Sequence, residues 1–388
     1  METIKIGDIC EILNGYAFKS DNYVDSGIRV IRIANVQKGY IEDADPAFYP
    51  EDFSGLDKYM LKDGDLLMSL TGNVGRVAIL QKEMLPAALN QRVACLRIKN
   101  PLLSKGYLFH FLNSDYFENK CIQASKGVAQ KNMSTEWLKE YEIPLYSVEK
   151  QTEIENIFDK LRLVIKHRKE ELNRLDELIK ARFVELFGDP VDNPKGWRMK
   201  KLQELVSDDC TISYGIVQTG DDQEEGIPVF RPVDIVNHVP IRSELKKTTE
   251  EISNKYKRTI LKGREMLITV RANIADTCIV GEEFAGCNVG RGIVPIRTNE
   301  DEMILEFLKH QIDSKHLNDN IKALAKGITL IQLNMEDLRE ISLIVPPLER
   351  QKAYVEFAKQ VDKSKVAVQR ALEDTQLLFD SLMQDYFG

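Results

Sequence analysis

A chain that repeats itself at a distance of 200 residues has to build one domain twice. The last residues, "LLFDSLMQDYFG", end on Phe387-Gly388, and "LIKARFVELFG" carries Phe187-Gly188 at the same place 200 positions earlier. Under that shift "SKGVAQKNMSTEWLKEYEIPLYSVEKQ" lies over "AKGITLIQLNMEDLREISLIVPPLERQ", with Lys126/Lys326, Glu136/Glu336, Leu138/Leu338, Glu140/Glu340, Glu149/Glu349 and Gln151/Gln351 coinciding. Upstream, "LKDGDLLMSLTGNVG" faces "LKGREMLITVRANIA", and "GIRVIRIANV" lies over "GIPVFRPVDI" one residue out of step, so one small insertion separates the copies there. Solenoid repeats run roughly 20 to 50 residues. A period this long is a duplicated domain, and a pseudo-twofold relation follows.

Each copy divides into two parts. The first alternates short β-rich runs ("IRVIRIANV", "DLLMSL", "VACLRI", "EMLITV", "GIVPIR") with Gly, Asn and Asp turn signals, then gives helical spacing in "SKGYLFHFLNSDYFENKCIQA" and "EMILEFLKHQIDSKHLNDNIKAL". The second part is a long heptad-like helix. Its apolar seam is Ile154, Phe158, Leu161, Ile165, Leu172, Leu175, Ile179 and Leu186 in one copy, and Tyr354, Ala358, Val361, Val368, Leu372, Phe379, Leu382 and Tyr386 in the other. Arg168, Arg182, Lys365 and Thr375 interrupt it. Such a seam needs a facing helix, and a pseudo-twofold makes the two seams mutual and antiparallel. Roughly 35 residues at about 1.5 Å each give a rod of about 50 Å. The expected class is α+β: two pseudo-twofold-related recognition domains separated by an antiparallel two-helix coiled coil. The boundaries fall at 1–148, 149–188 (central helix), 189–348 (linker and second domain) and 349–388 (terminal helix). "DPVDNPKGW" after Gly188 cannot continue a helix and reads as linker.

Composition narrows the function. Six cysteines without a C-x-x-C spacing argue against a zinc site or a redox pair and fit reduced thiols in a cytoplasm. The N-terminus "METIKIGDIC" has no export pattern, and no apolar run is long enough to span a membrane. A net charge of -8 speaks against a nucleic-acid surface, yet residues 1–148 hold 17 basic and 19 acidic side chains and residues 190–348 hold 21 and 25. That near-balance allows local basic faces, with patchy phosphate contacts and weak non-specific binding unless partners add affinity.

With these residues in view, the whole chain resembles the specificity subunit of a Type I restriction-modification system. "KGVAQKNMSTEWLKEYEIPLYSVEKQTEI" is similar to the close of a target recognition domain running into a central helix, "LIVPPLERQ" matches the same pattern with Pro-Pro-Leu intact, and "LFGDPVDNPKGW" resembles the join to the second recognition domain. The first copy departs with Tyr146-Ser147-Val148 in place of Pro-Pro-Leu. The resemblance implies a non-catalytic subunit whose two recognition domains each read half of a split double-stranded DNA sequence, the helices setting the unread gap. It also implies docking of two modification subunits carrying S-adenosylmethionine, and of restriction subunits using ATP and Mg²⁺, with no cofactor on this chain. No Asn-Pro-Pro-Tyr motif, phosphate loop or dinucleotide fingerprint is present. Half-sites on one face of DNA lie about 34–36 Å apart per helical turn, a distance suited to such a rod. The alternative is a scaffold whose duplicated domains bind protein or carbohydrate ligands at a fixed spacing.

Bases are read by Arg or Lys on guanine and Asn or Gln on adenine, and phosphates by cations, hydroxyls and turn amides. The candidate contacts are therefore Thr71, Asn73 and Arg76 in "SLTGNVGR", Arg271 and Asn273 in "TVRANIAD", Gln91 and Arg92 in "NQRV", Arg291 in "NVGRGI", and Lys126, Gln130, Lys131 and Lys326 in the turns that close each domain. Each is also an ordinary turn former or solvated charge. Positions that differ between copies, such as Arg76 against Asp276, suit base discrimination better than positions that match. His110 and His310 coincide under the shift but, with no metal-binding cluster tied to them in sequence, read as packing residues. Asp234 with Glu244-Leu245-Lys246 approximates a nuclease core that the first copy lacks, and such spacings are common among 61 carboxylates. Leu163, Val164 and Leu178 fall off the seam and suggest a partner face.

Overall fold

The computed structural model describes residues 2–125, 132–235, 241–327 and 331–388. Contacts divide the chain into two compact units, residues 1–169 with 369–388 and residues 170–368. The two 40-residue helices, Val148–Phe187 and Leu348–Phe387, each contribute residues to both units.

In the first unit, a four-stranded antiparallel sheet runs in the order Cys10–Asn14, Val93–Ile98, Leu66–Ser69, Val77–Ile79. A second sheet pairs Ile28–Ile31 antiparallel with Phe48–Tyr49 and parallel with Ala87–Leu89. In the second unit, Thr277–Val280, Glu265–Thr269 and Ile293–Ile296 form the corresponding antiparallel sheet, and Lys247–Thr248, Ile227–Phe230 and Asn288–Val289 form the mixed one. The register is kept between copies: Leu66 faces Ile79 and Leu96, and Met266 faces Ile279 and Ile296. The register also locates the insertion that sets the copies one residue apart. Ile28↔Tyr49 corresponds to Ile227↔Thr248, an offset of 199, whereas the Leu61 amide donates to Ala87 O and the Leu261 amide to Cys287 O, an offset of 200. The extra residue therefore lies between Thr248 and Leu261.

The stretches with continuous helical spacing divide into pairs, Lys105–Leu112 with Asp115–Ala124 and Leu305–Ile312 with Lys315–Ala323. In the first pair Ser114 ends one helix and caps the next, its Oγ accepting from the Phe117 amide, since a serine side chain supplies the acceptor that a helix start lacks.

The helices run five residues longer than the roughly 35 expected, a length of about 60 Å at 1.5 Å per residue. Their pairing is antiparallel within each unit. In the first, Phe158 meets Phe379 and Phe387, while ten residues on Arg168 donates to Ala371 O and Thr375 Oγ1. In the second, Asp176 meets Lys365 at 2.5 Å and Phe183 meets Tyr354. The polar interruptions Arg168, Thr375 and Lys365 are thus satisfied across the pair. The seam itself needs correction at its ends. Phe183, Phe187, Met383 and Phe387 are buried and Leu186 and Leu382 only partly so, because there the helix packs on the recognition domain as well as on its neighbour: Phe187 meets Phe307, and Phe387 meets Tyr107 and Phe111. A two-sided contact widens the buried stripe beyond a heptad seam.

One buried side chain ties each helix start to its domain. Gln151 Oε1 accepts from the Ser104 amide at 2.8 Å and its Nε2 donates to Leu102 O and Tyr146 O, both at 2.9 Å. Gln351 repeats the set with the Ile304 amide, Glu302 O and Pro346 O. Tyr146-Ser147-Val148 and Pro346-Pro347-Leu348 therefore make the same turn. His110 is buried and His310 partly so, against Phe158 and Tyr354. Burial pulls both imidazoles down to about 4, although Asp159 Oδ1, 2.8 Å from His110 Nε2, pulls the His110 ring the other way.

Candidate nucleic-acid interface

Three loops that are distant in sequence converge in each unit, and backbone hydrogen bonds fix them together. In the first, the Leu70 amide donates to Arg92 O at 3.0 Å and the Met133 amide donates to Leu70 O at 2.8 Å, so the hairpin 69–76, the turn 90–93 and the segment ending the domain at 132–133 share one edge. In the second, the Val270 amide donates to Gly292 O at 2.8 Å and the Leu333 amide to Val270 O at 2.9 Å. A fourth segment joins them: the Gln91 amide donates to Tyr16 O, and the Ile216 amide to Val289 O. The backbones approach so closely here that a Cβ on Gly15 or Gly215 would meet Asn90 or Val289 at 2.2 or 1.8 Å. Only glycine fits.

The hairpin turn is held rigidly. Ser69 Oγ donates to Asn73 O and accepts from the Arg76 amide, and the Gly75 amide donates to Ser69 O at 2.9 Å. Thr269, Asn273, Asp276 and Ala275 repeat every one of those bonds. Gly72 and Gly75 have φ of 71° and 86°, whereas the second copy holds alanines, Ala272 at 59° and Ala275 at 66°. A left-handed alanine costs about 1–2 kcal/mol, and strained backbone of this sort collects at functional sites, where the surroundings hold it in place.

This edge brings most of the expected contact residues together. Asn73, Gln91 and Arg92 are exposed on the first unit, and Asn273, Arg291 and Lys326 on the second. Arg291 sits over the Tyr214 ring at 5.9 Å. Thr71 is not among the side chains presented: it is 7% exposed and pairs through its backbone with Asn132. Arg76 and Arg271 are partly buried, each donating to a glutamine, Gln37 and Gln332. Asp276, the counterpart of Arg76, is pushed above the usual carboxylate range by burial. The contrast between these two positions therefore lies at the base of the turn, and the tips carry asparagine in both copies. Lys126, Gln130 and Lys131 lie outside the described residues. Lys326 Nζ is 3.3 Å from Asp337, and the Lys326 backbone pairs with Gln332.

Sequence reasoning did not single out Gln37, Gln332 or Tyr214, nor the basic stretch "NKYKR" at 254–258. The charge density of that stretch was the available signal, masked by the even balance of the domain.

Asp234 Oδ2 accepts from the Arg231 amide and Nε, and its Oδ1 from Arg231 Nη2, so it serves as a turn cap and not as a metal ligand of a nuclease core. The thiols are all raised by burial, Cys10, Cys121 and Cys278 to about 12, and stay protonated. Among the described residues Asp189, Asp192 and His316 bring ligand atoms within 4.8 Å of one another on the surface, but Asp189 Oδ1 already accepts from the Val191 and Asp192 amides and lies 3.1 Å from His316 Nδ1. That is a linker turn. No described helix is long and apolar enough to cross a membrane.

The comparisons agree with one another. A family profile described as "Type I restriction modification DNA specificity domain" matches residues 1–176 and again 194–375. The Type I restriction enzyme EcoBI specificity subunit of Escherichia coli is 24% identical over 99% of this chain and 85% of its own length. A putative Type I restriction enzyme MjaX specificity subunit of Methanocaldococcus jannaschii is 25% identical over 93% and 86%. The crystal structure of a Type I restriction-modification S subunit from M. genitalium covers 100% of this chain and 96% of its own, with a TM-score of 0.59 at 14% identity, a likeness of fold.

Proposed function

We propose, from the premise that this chain belongs to the Type I restriction modification DNA specificity domain family, that it is the sequence-reading subunit of a Type I complex in the cytoplasm. In this reading it recognises a bipartite double-stranded DNA site and performs no chemistry. Each unit reads one half through the edge formed by its hairpin, its neighbouring turn and its domain-closing loop. Asn73, Gln91 and Arg92 in one unit and Asn273, Arg291 and Lys326 in the other offer the groups that base edges and phosphates take. Arg76 and Arg271, braced by glutamines, hold the turns or reach a base from a fixed position. The observation that carries this reading is that one chain presents the same hydrogen-bonded loop cluster twice, on matching backbones with different side chains. Two half-sites of different sequence require that arrangement.

Two modification subunits carrying S-adenosylmethionine, with restriction subunits supplying ATP-driven steps, complete the proposed complex. The exposed apolar residues Leu163, Val164, Leu178 and Leu378 on the long helices suit their docking. Leu178 and Leu378 are equivalent under the duplication, as attachment of two like subunits would need.

The long helices, which contribute to both units, set the unread gap. Inserting residues within 160–180, with the matching change in the facing helix, should alter the number of unread base pairs between the methylated half-sites. A gap unchanged by such insertions would contradict the ruler. An ungapped motif, or no methylation dependent on this chain, would favour a scaffold for other ligands.

A further inference from the structure

The second unit carries a basic cleft. It has a volume of about 640 Å³ and is lined by Tyr214, Tyr256, Lys255, Lys257, Arg258 and Arg339 among others. Lys255 is paired with Glu251 at 2.8 Å, and Arg339 donates to Ile212 O at 2.6 Å. Lys257 and Arg258 are exposed and form no ion pair with a described residue. They line the cleft together with Tyr214 and Tyr256, and no carboxylate is among the lining residues.

The duplication explains how the cleft arose. The first copy reads "PEDFSGLDKYM" at 50–60 where the second reads "TEEISNKYKRTI" at 249–260, one residue longer, and this is the interval to which the register assigns the insertion. In the first unit the stretch packs aromatic rings: Tyr16 lies against Phe53 and Tyr59 at 6.0 and 5.4 Å, and Phe53 against Tyr49 at 5.0 Å. In the second unit the extra residue accompanies a short helix, Glu250–Asn254. The interior here is polar, with buried Asn288 accepting from Thr259 Oγ1 and donating to Ser253 Oγ. Asp57-Lys58-Tyr59 has become Lys257-Arg258-Thr259, so an aromatic plug with balanced charge corresponds to a cleft with two uncompensated cations. The cleft lies beside the reading edge, since Tyr214, one of its walls, also carries Arg291.

We propose that this cleft holds the DNA backbone, with Lys257 and Arg258 each neutralising a phosphate next to the half-site read by the second unit. The inference rests on the DNA-recognition reading above and adds to it a backbone contact without sequence preference. Unpaired flexible cations, hydroxyls and phenols suit a run of phosphates, whereas reading a base takes a braced fork or amide.

The test uses the complex of this chain with its modification partner on a duplex carrying the recognised site. The slope of log affinity against log salt is measured for the wild type, for Lys257→Ala with Arg258→Ala, and for the charge-conserving exchange Lys257→Arg with Arg258→Lys. At roughly 0.9 per phosphate contact, the alanine pair should flatten the slope by about 1.8 and the exchange should keep it, with the methylated motif the same in all three. An unchanged slope in the alanine pair overturns the inference while leaving the recognition reading intact. A changed motif overturns it in favour of base reading by these residues. A wild-type complex that binds no DNA removes both readings together.

Discussion

Arg297→Leu is expected to lower the stability of the second unit by about 3–5 kcal/mol, the range for breaking a buried ion pair by removing one partner. Glu265 is fully buried at the start of the strand that leads into the reading hairpin, and Arg297 Nη1 donates to its Oε1 at 2.8 Å. The same oxygen accepts from the Lys262 amide at 2.7 Å, while Oε2 has no hydrogen-bond partner. Removing the guanidinium strands a carboxylate in the interior. Pairing Arg297→Leu with Glu265→Gln removes the charge and keeps an acceptor for Lys262, and should recover most of the loss. Urea unfolding of the whole chain reads both variants. A single variant within 1 kcal/mol of wild type would contradict the account, as would a double variant no better than the single. The first unit solves the same problem with a shorter acid, Asp65, which Arg97 grips through Nε at 2.9 Å and Nη2 at 2.7 Å.

Gln351→Leu should cost roughly 3–9 kcal/mol, because it abandons three main-chain groups at about 1–3 kcal/mol for each one left buried and unpaired. Leucine fills a similar volume but can neither accept from the Ile304 amide nor donate to Glu302 O and Pro346 O. The damage should appear locally, as faster hydrogen exchange at Ile304 and at the first turns of the second long helix, with the first unit unaffected. Gln151→Leu should give the mirror result in the first unit. Unchanged exchange at Ile304 would show that the clamp is dispensable.

These pairs also mark what the sequence made legible. The 200-residue shift, the α+β class and the two long helices were readable because apolar periodicity and repeated motifs survive in both copies. Gln151 and Gln351 were visible as a coincidence, but nothing in a sequence says that a glutamine is buried and triply bonded. Asp65 and Glu265 differ in identity, so their common role with Arg97 and Arg297 escaped a search for matches. Phe183, Phe187, Met383 and Phe387 fell outside the heptad seam because they face a helix and a domain at once. The convergence of residues near 71, 91 and 132 depends on hydrogen bonds between strands far apart in the chain, which no local pattern records. Thr71 was a plausible contact by residue type, and no sequence pattern shows that its side chain is buried. The basic stretch at 254–258 escaped because the even charge balance of its domain masked it.

The central claim is that each unit reads one half of the target on its own. The most direct measurement replaces residues 1–145 with the recognition domain of another family member, expresses the hybrid with its modification partner, and sequences the methylated adenines in those cells. The account predicts a new motif in one half-site, with the other half-site and the gap unchanged. A change in both halves, or in neither, would contradict it.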